Sequence, residues 1–139
     1  MKKGLLLNAP LSAVIAECGH TDMLCVCDAG LPIPVGPRRI DLALHAGLPG
    51  LLDTTRTLLA EMVVEKAILA CELPQVSPAC HQAVLAMLEA AASQQGKPIA
   101  IEYVTHEEFK QTSQDCKAIV RTGEVTPYAN ILLCSGVAF

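Results

Sequence analysis

An imidazole and a carboxylate lie on either side of a short apolar run near the start of the chain. His20 belongs to the turn Gly19-His20-Thr21-Asp22, which precedes the run Met23–Cys27, and Asp28 follows that run. Imidazole suits proton transfer near neutral pH, and a nearby carboxylate can orient it. These side chains could therefore act as acid and base on a small polar ligand. Turn histidines more often only pair with local backbone, so the pattern by itself leaves that alternative open.

Polar side chains also stand where two later strand patterns end or begin. His106 follows the alternating pattern Ile99–Val104, and Tyr128-Ala129-Asn130 opens the last apolar run. A residue in the first turn of a helix also has structural reasons to be polar, so His106 alone is not diagnostic. His45 and His81 are interpreted as structural residues of the core or surface, not as functional ones, since His81 lies on an apolar helical stripe.

The cysteines near His20 resemble a metal site only superficially. Cys25 and Cys27 lie one residue apart, with Cys18 upstream. We expect the two strand cysteines to point to opposite faces, which would keep them from sharing one ion, so no metal site is predicted. The chain also lacks a Walker A sequence, a Gly-x-Gly-x-x-Gly fingerprint and a Gly-x-Ser-x-Gly elbow. We therefore expect no phosphate cradle, dinucleotide cofactor or serine hydrolase layout.

Composition places the chain among folded proteins without a membrane span. It has 139 residues, of which 52% are hydrophobic and 17% charged, and its mean hydropathy is +0.42. Disordered chains need low hydrophobicity and high net charge, so disorder is excluded. Uncharged apolar stretches such as Leu5–Ala16 and Val125–Phe139 are shorter than the roughly 18 residues of a transmembrane helix. One domain, residues 1–139, has little interior for so many apolar side chains, so we expect a homo-oligomer.

Charge and cysteine content indicate which binding partners and which cellular compartment to expect. The net charge is −4, from 10 basic and 14 acidic residues, and no basic cluster exceeds Lys2-Lys3 or Arg38-Arg39. Binding of nucleic acid needs a basic face and, for single strands, aromatic platforms, so we expect no nucleic acid partner. The seven cysteines are odd in number, and the first residues lack a secretory signal pattern. Reduced thiols in the cytoplasm are therefore expected.

The apolar periodicity predicts alternating helices and strands. Helices are predicted at Leu11–Cys18 with Gly19 as C-cap, from Ser77-Pro78 to about Gly96, and after a capping box at Thr105 and Glu108. Strands are predicted at Met23–Cys27, Met62–Cys71, Ile99–Val104, Lys117–Arg121 and Asn130–Val137, with irregular chain at Asp28–Pro37. The predicted fold is an α/β three-layer sandwich, a mainly parallel sheet flanked by helices. Its ligands are expected beyond the carboxyl ends of the strands.

Three motifs give the chain a resemblance to a known family. They are Gly19-His20-Thr21-Asp22, the segment Cys27-Asp28-Ala29-Gly30-Leu31-Pro32-Ile33-Pro34, and Pro127-Tyr128-Ala129-Asn130-Ile131. With these motifs the whole chain resembles the D-ribose pyranase and L-fucose mutarotase family, without a large insertion or deletion. The segment Gly30–Pro34 and His106 are similar to the ribose branch of that family.

The resemblance implies an activity, residue roles and an assembly. It implies interconversion of β-D-ribopyranose and β-D-ribofuranose without metal or cofactor, in the cytoplasm, where the furanose supplies a ribokinase. Carried over by position, His20 is expected to be the catalytic proton donor. The residues expected to bind D-ribose or line its pocket are Asp28, His106, Tyr128, Ala129 and Asn130. Similar family members assemble as stacked rings that form a homodecamer, which agrees with the apolar surplus.

Three alternatives remain open at this point. A non-catalytic module associated with sugar uptake could use the same hydroxyl-binding pocket, and a mutarotase could act on fucose instead. A purely structural oligomer predicts no effect of ribose on thermal stability, whereas a specific binder must raise it. The sequence also does not fix whether the pocket forms within one subunit or across an interface.

Overall fold

The computed structural model describes residues 1–139 as one six-stranded sheet with helices on both faces. In chain order, the elements are α1 (Ala9–Glu17), β1 (Met23–Cys27), β2 (Arg38–Asp41), α2 (Leu51–Leu59), β3 (Val64–Ala70), α3 (Leu73–Val76), α4 (Pro78–Gln95), β4 (Ala100–Val104), α5 (His106–Thr112), β5 (Ala118–Arg121) and β6 (Ile131–Ser135). A short 3-10 turn, Ser113–Asp115, follows α5.

All strands except β6 run in the same direction. The order across the sheet is β2-β5-β1-β6-β3-β4, and β6 runs antiparallel to both of its neighbours. The predicted mainly parallel sheet is therefore confirmed. The carboxyl ends of the parallel strands meet at one edge of the sheet, called here the carboxyl edge. Their amino ends meet at the opposite edge, called here the amino edge.

The two faces of the sheet are covered unequally. Helices α1 to α4 pack on one face, where Val14, Leu58 and Leu88 belong to a core of 21 buried residues. On the other face, Phe109 of α5 and Leu31 of the loop after β1 belong to a core of 9 buried residues. This arrangement of helices, sheet and a thinner helical layer confirms the predicted three-layer sandwich.

Side-chain caps fix where α1 and α5 begin. The Asn8 Oδ1 atom accepts a hydrogen bond from the Leu11 N–H at 3.0 Å at the start of α1. At α5 the Thr105 hydroxyl accepts from the Glu108 N–H, and the Glu108 carboxylate accepts from the Thr105 N–H, which confirms the predicted capping box. The predicted C-cap of α1 is wrong by one residue, because Cys18 holds that position.

The sequence pattern predicts neither β2 nor α2. Strand β2 is an outermost strand in which only Ile40 is buried. Its other residues are charged, so the sequence shows no apolar strand pattern there. Helix α2 turns Leu51, Thr54, Thr55 and Leu58 inward. Threonine at two of these buried positions weakens the apolar periodicity on which a helix prediction depends.

The remaining predicted elements are confirmed, with shifts at their ends. Strand β3 begins at Val64 rather than Met62, and β6 spans Ile131–Ser135 inside the longer predicted run. Strand β4 is an outermost strand of the sheet, and its residues Ile101 and Tyr103 are 40% and 42% exposed. No helix is both long enough and apolar enough to cross a lipid bilayer.

The thinner helical layer depends on Phe109, which has no exposed surface and anchors α5 to the sheet. Phe109→Ala is expected to lower the free energy of unfolding by about 3–5 kcal/mol, through lost burial and the cavity left behind. Urea unfolding at a fixed protein concentration measures the change. Glu89→Ala, on the exposed surface of α4, is the control and is expected to change stability by less than about 0.5 kcal/mol. Equal midpoints for the two variants would contradict this role of Phe109.

Candidate active site

A cavity of about 300 Å³ opens at the carboxyl edge of the sheet. Asp28 follows β1, His106 begins α5 just after β4, and Tyr128 lies between β5 and β6. Gly30, Leu31, Pro32 and Pro127 complete the lining. The volume is at the small end of the range for small-molecule sites, which suits a ligand of monosaccharide size. The cavity lies at the edge of the sheet where the sequence predicts a ligand.

Asp28 is held in place by the buried amide of Asn130. The Asn130 Oδ1 atom accepts from the Asp28 N–H at 2.9 Å, and the Asn130 Nδ2 atom donates to Asp28 Oδ2 at 2.9 Å. The Gly30 N–H donates to Asp28 Oδ1, also at 2.9 Å. Because β1 and β6 pair with Val26 opposite Ile131, the same register continued places Asn130 opposite Cys27, one residue from Asp28 and within reach of its side chain. The carboxylate therefore has a fixed orientation and keeps further lone pairs for a ligand.

Tyr128 has a backbone conformation that few residues adopt. Its φ angle is 60°, and Thr21, next to His20, is the only other non-glycine residue with a positive φ, at 71°. Such conformations persist where the surroundings enforce them, and they cluster at functional sites. Here the Asn130 N–H donates to the Tyr128 carbonyl at 2.8 Å. Both unusual conformations thus lie in segments that the sequence analysis selects.

Glu124 organises the loop that carries Tyr128. Its Oε1 atom accepts from the N–H and the hydroxyl of Thr126 at 3.1 and 2.8 Å, and its Oε2 atom accepts from the Leu51 N–H at 3.2 Å. Partial burial raises the pKa of Glu124, but these hydrogen bonds outweigh it and hold the pKa below its usual value. The Glu124 carbonyl also accepts from the Ala29 N–H at 2.8 Å. One residue therefore connects the loop to α2 and to the segment after β1.

His106 reaches the cavity from the first turn of α5. Its ring meets Tyr128 edge to face, with ring centroids 5.1 Å apart. Its Nδ1 atom is buried and has no hydrogen-bonding partner in the chain, which is rare for a buried polar atom. Its backbone N–H donates to both carboxylate oxygens of Glu72, at 3.1 and 3.0 Å. This hydrogen bond holds the pKa of Glu72 below its usual value, and Glu72 in turn fixes the start of α5.

His20 lies at the amino edge of the sheet, opposite the cavity. It precedes β1 whereas Asp28 follows it, and a strand of 5 residues spans about 16 Å. Within one chain His20 is therefore not a neighbour of Asp28, His106 or Tyr128. Its Nε2 atom lies 2.8 Å from Oε2 of Glu65, the second residue of β3. The His20 side chain is 55% exposed and accessible from outside the subunit.

Asp22 holds the turn that presents this imidazole. The Asp22 Oδ2 atom accepts from the Gly19 N–H at 2.8 Å and from the Lys117 ammonium at 2.9 Å. The hydrogen bond from Gly19, followed by that from Lys117, lowers the pKa of Asp22. Ser135, at the end of β6, accepts from the Thr21 N–H at 2.9 Å and donates its N–H to the Asp22 carbonyl at 2.8 Å. The motif is thus a rigid turn rather than a mobile loop.

The structure brings part of the predicted site together. Asp28, His106 and Tyr128 line one cavity. Ala129 is fully buried in the large core, and the Asn130 side chain stands behind Asp28, so neither of these side chains lines the cavity. His20 is separated from all of them within the chain.

The residues that sequence reasoning missed are acceptors that act across the fold. They are Glu65, Glu72 and Glu124, each of which contacts a segment distant in sequence. No local signal marks such glutamates, because their partners are set by the order of strands. Ser77 occupies the N-cap position of α4, but its hydroxyl makes no cap hydrogen bond; it donates to the Pro127 carbonyl at 3.1 Å and so holds the cavity loop.

The side chains of Cys25 and Cys27 lie on the same face of β1. Residues two apart on a strand share a face, and both thiols lie in the small core, so the prediction of opposite faces is wrong. Burial raises the pKa of the Cys25 thiol well above its usual value, which makes it a poor thiolate ligand. All seven cysteines are free. No group of three or more His, Cys, Asp or Glu side chains has a spacing that could hold a metal ion.

The Glu72 contact predicts how acid affects the site. Because folding lowers the pKa of Glu72, its contribution to stability is present above the ordinary glutamate pKa of about 4.3 and is lost as the pH falls through the lower folded value. The loss of stability between pH 7 and pH 3 is therefore expected to be smaller in Glu72→Gln than in the wild type. Urea midpoints at both pH values measure it, with Glu89→Gln as a control that keeps the full loss. An unchanged acid dependence in Glu72→Gln would refute the assigned contact.

Comparison with known proteins confirms the resemblance noted from the motifs. The D-ribose pyranase of Aeromonas hydrophila subsp. hydrophila is 64% identical over 139 residues, which is the full length of both chains. The D-ribose pyranase of Vibrio vulnificus is 50% identical over the same length. Both relatives align with this chain from end to end.

Solved structures agree with this relationship. Bacillus subtilis RbsD, complexed with D-ribose, matches with a TM-score of 0.91 at 43% identity, covering 100% of both chains. The fucose mutarotase of Streptococcus pneumoniae, in complex with L-fucose, has a TM-score of 0.80 at 23% identity and shares the fold. The model of the RbsD / FucU transport protein family matches residues 1–138. Because the family model covers residues 1–138 and the full-length relatives are 64% and 50% identical, the chain belongs to the RbsD / FucU transport protein family.

Proposed function

We propose that this protein is a D-ribose pyranase, which interconverts β-D-ribopyranose and β-D-ribofuranose by opening and reclosing the sugar ring. The observation that carries the proposal is the cavity at the carboxyl edge, where a carboxylate, an imidazole and a phenol converge around about 300 Å³. A ligand that consists almost entirely of hydroxyl groups needs such donors and acceptors. The 64% identity, over the full length of both chains, to a relative named D-ribose pyranase supports the same activity.

The proposed site needs two subunits, because His20 and Asp28 stand at opposite edges of the sheet. We assign D-ribose to the cavity of one subunit, where Asp28, His106 and Tyr128 hold its hydroxyls. His20 of an adjacent subunit then closes the site as the catalytic proton donor. Its exposure in the single chain and its rigid turn support this role, since an exposed imidazole can dock against a neighbour. Asn130 contributes through Asp28, and Ala129 contributes through its place in the loop.

The chemistry requires only the movement of protons. In the opening step the His20 imidazolium gives a proton to the ring oxygen O5, the C1–O5 bond breaks, and O5 keeps the electron pair. The O1 hydroxyl gives its proton to the Asp28 carboxylate, and C1 becomes an aldehyde. On reclosure O4 attacks C1, His20 takes the O4 proton, and Asp28 returns a proton to O1. A positioned acid or base contributes about 10²- to 10⁴-fold, which is enough for a sugar that already interconverts slowly in water.

Assembly and compartment follow from the same proposal. Leu5 and Leu7 are 68% and 66% exposed beside an apolar groove along α1 and α2, and a neighbouring copy of the chain would cover them. We propose a homo-oligomer, in the stacked rings of a homodecamer that the resemblance implies, built from residues 1–139 as one domain. A cytoplasmic location, with seven reduced thiols and a ribokinase that consumes the furanose, fits this activity.

Saturation-transfer NMR of D-ribose tests the activity and separates it from a binding-only module. The wild type is expected to speed exchange between pyranose and furanose signals, with L-fucose as the competing sugar. His20→Ala is expected to lower the rate by about 10²- to 10⁴-fold and to leave the affinity for ribose nearly unchanged. Asp28→Asn is expected to weaken binding, measured by calorimetry, by about ten- to hundredfold through loss of charge-assisted hydrogen bonds. Spontaneous exchange rates with the wild type would overturn the proposed activity.

Mixing two inactive variants tests the shared site. His20→Ala keeps an intact cavity and Asp28→Ala keeps an intact imidazole, so a mixed assembly contains some interfaces with both native groups. Random reassembly of equal amounts is expected to restore about a quarter of the wild-type sites. The control is each variant dissociated and reassembled on its own. If dissociated and reassembled mixtures show no more exchange than either variant alone, the site lies within one subunit.

A further inference from the structure

The proposed proton donor has one side-chain partner within its own chain, the carboxylate of Glu65. The two residues are 45 positions apart in sequence, and the His20 Nε2 and Glu65 Oε2 atoms lie 2.8 Å apart. The contact forms because the turn before β1 and the start of β3 both lie at the amino edge, on either side of the end of β6. Nothing in the local sequence at Glu65 indicates this pairing.

The surroundings hold Glu65 where it can reach the imidazole. Gly136 follows β6 and donates its N–H to the Val63 carbonyl at 2.9 Å. A Cβ atom at Gly136 would stand 3.4 Å from the Glu65 Cβ and 3.2 Å from a Val63 methyl, so the glycine gives the glutamate side chain its space. The adjacent Lys66 pairs with Glu102 at 3.1 Å, on the side away from β6. The Glu65 carboxylate is therefore left to His20.

This contact decides which imidazole nitrogen faces the sugar. An ionised carboxylate only accepts hydrogen bonds, so the neutral His20 ring carries its hydrogen on Nε2 and keeps a lone pair on Nδ1. When the ring is protonated, the hydrogen on Nδ1 is the one that remains free to be donated. The same logic orients histidines in other catalytic sites through a carboxylate on the opposite nitrogen.

We propose that Glu65 is a positioning residue that holds His20 by Nε2, so that Nδ1 exchanges the proton with D-ribose in the neighbouring subunit's cavity. The inference rests on the proposed function. During opening, Nδ1 gives its proton to O5 as the C1–O5 bond breaks, and during reclosure Nδ1 takes the proton of O4. Glu65 keeps its hydrogen bond to Nε2 throughout and neither gains nor loses a proton.

Substitution of Glu65 tests the proposal by kinetics. Glu65→Gln removes the charge and can present either an amide donor or a carbonyl acceptor to the ring. Its kcat for ring exchange is expected to fall by about ten- to hundredfold, the range known for loss of a carboxylate that orients a metal-bound histidine, while KM for ribose stays unchanged. Glu65→Asp keeps the carboxylate and is expected to recover part of the rate. Glu89→Gln, the same change on the surface of α4, is expected to match the wild type.

The ¹⁵N NMR signals of the His20 ring supply a readout that does not depend on activity, and His20→Ala assigns them. The neutral wild type is expected to show a protonated Nε2 and an unprotonated Nδ1, and Glu65→Gln is expected to show a mixture of both tautomers. A wild-type ring protonated on Nδ1, or a Glu65→Gln variant with native kcat, would overturn the proposal. If the wild type has the expected tautomer but leaves ribose exchange at its spontaneous rate, the proposed function fails while the contact stands.

Discussion

The length and direction of β1 constrain everything else in this protein. A buried strand cannot bend back on itself, so the imidazole before it and the carboxylate after it are held at opposite edges of the sheet, beyond the two ends of a strand about 16 Å long. Each group is then rigid in its own setting, His20 through Asp22 and Glu65, and Asp28 through Asn130. A fold that fixes both groups so firmly within one chain can unite them only between chains. Association is therefore part of the proposed catalytic site, and the exposed leucines near α1 and α2 provide surface for it.

The antiparallel strand β6 gives each edge of the sheet its fixed geometry. Just before its start, Asn130 pairs with both the backbone and the carboxylate of Asp28, and its N–H donates to the Tyr128 carbonyl. At its end, Ser135 binds the turn that carries His20, and Gly136 makes room for Glu65. One strand between the two parallel parts of the sheet thus supports both halves of the proposed site. All five residues of this strand are buried.

Much of this architecture follows from the sequence, and the failures have physical causes. Apolar runs identified β1, β3 and β6, and the box at Thr105 and Glu108 identified α5, because burial and capping act locally. Helix α2 was missed because threonines occupy half of its buried stripe, and β2 because only Ile40 is buried. Motif resemblance identified His20 and Asp28, but no pattern in one chain indicates that β1 places them at opposite edges. Glu65 and Glu72 gave no signal, since their partners depend on strand order.

A crystal structure of this protein with D-ribose bound would show whether the site is shared between two subunits. We expect a sugar in the cavity at the carboxyl edge, in contact with Asp28, His106 and Tyr128 of one subunit. We also expect the Nδ1 atom of His20 from an adjacent subunit within about 3.2 Å of a sugar oxygen. Ribose bound in that cavity with no His20 of any subunit at hydrogen-bond distance would rule out the shared site.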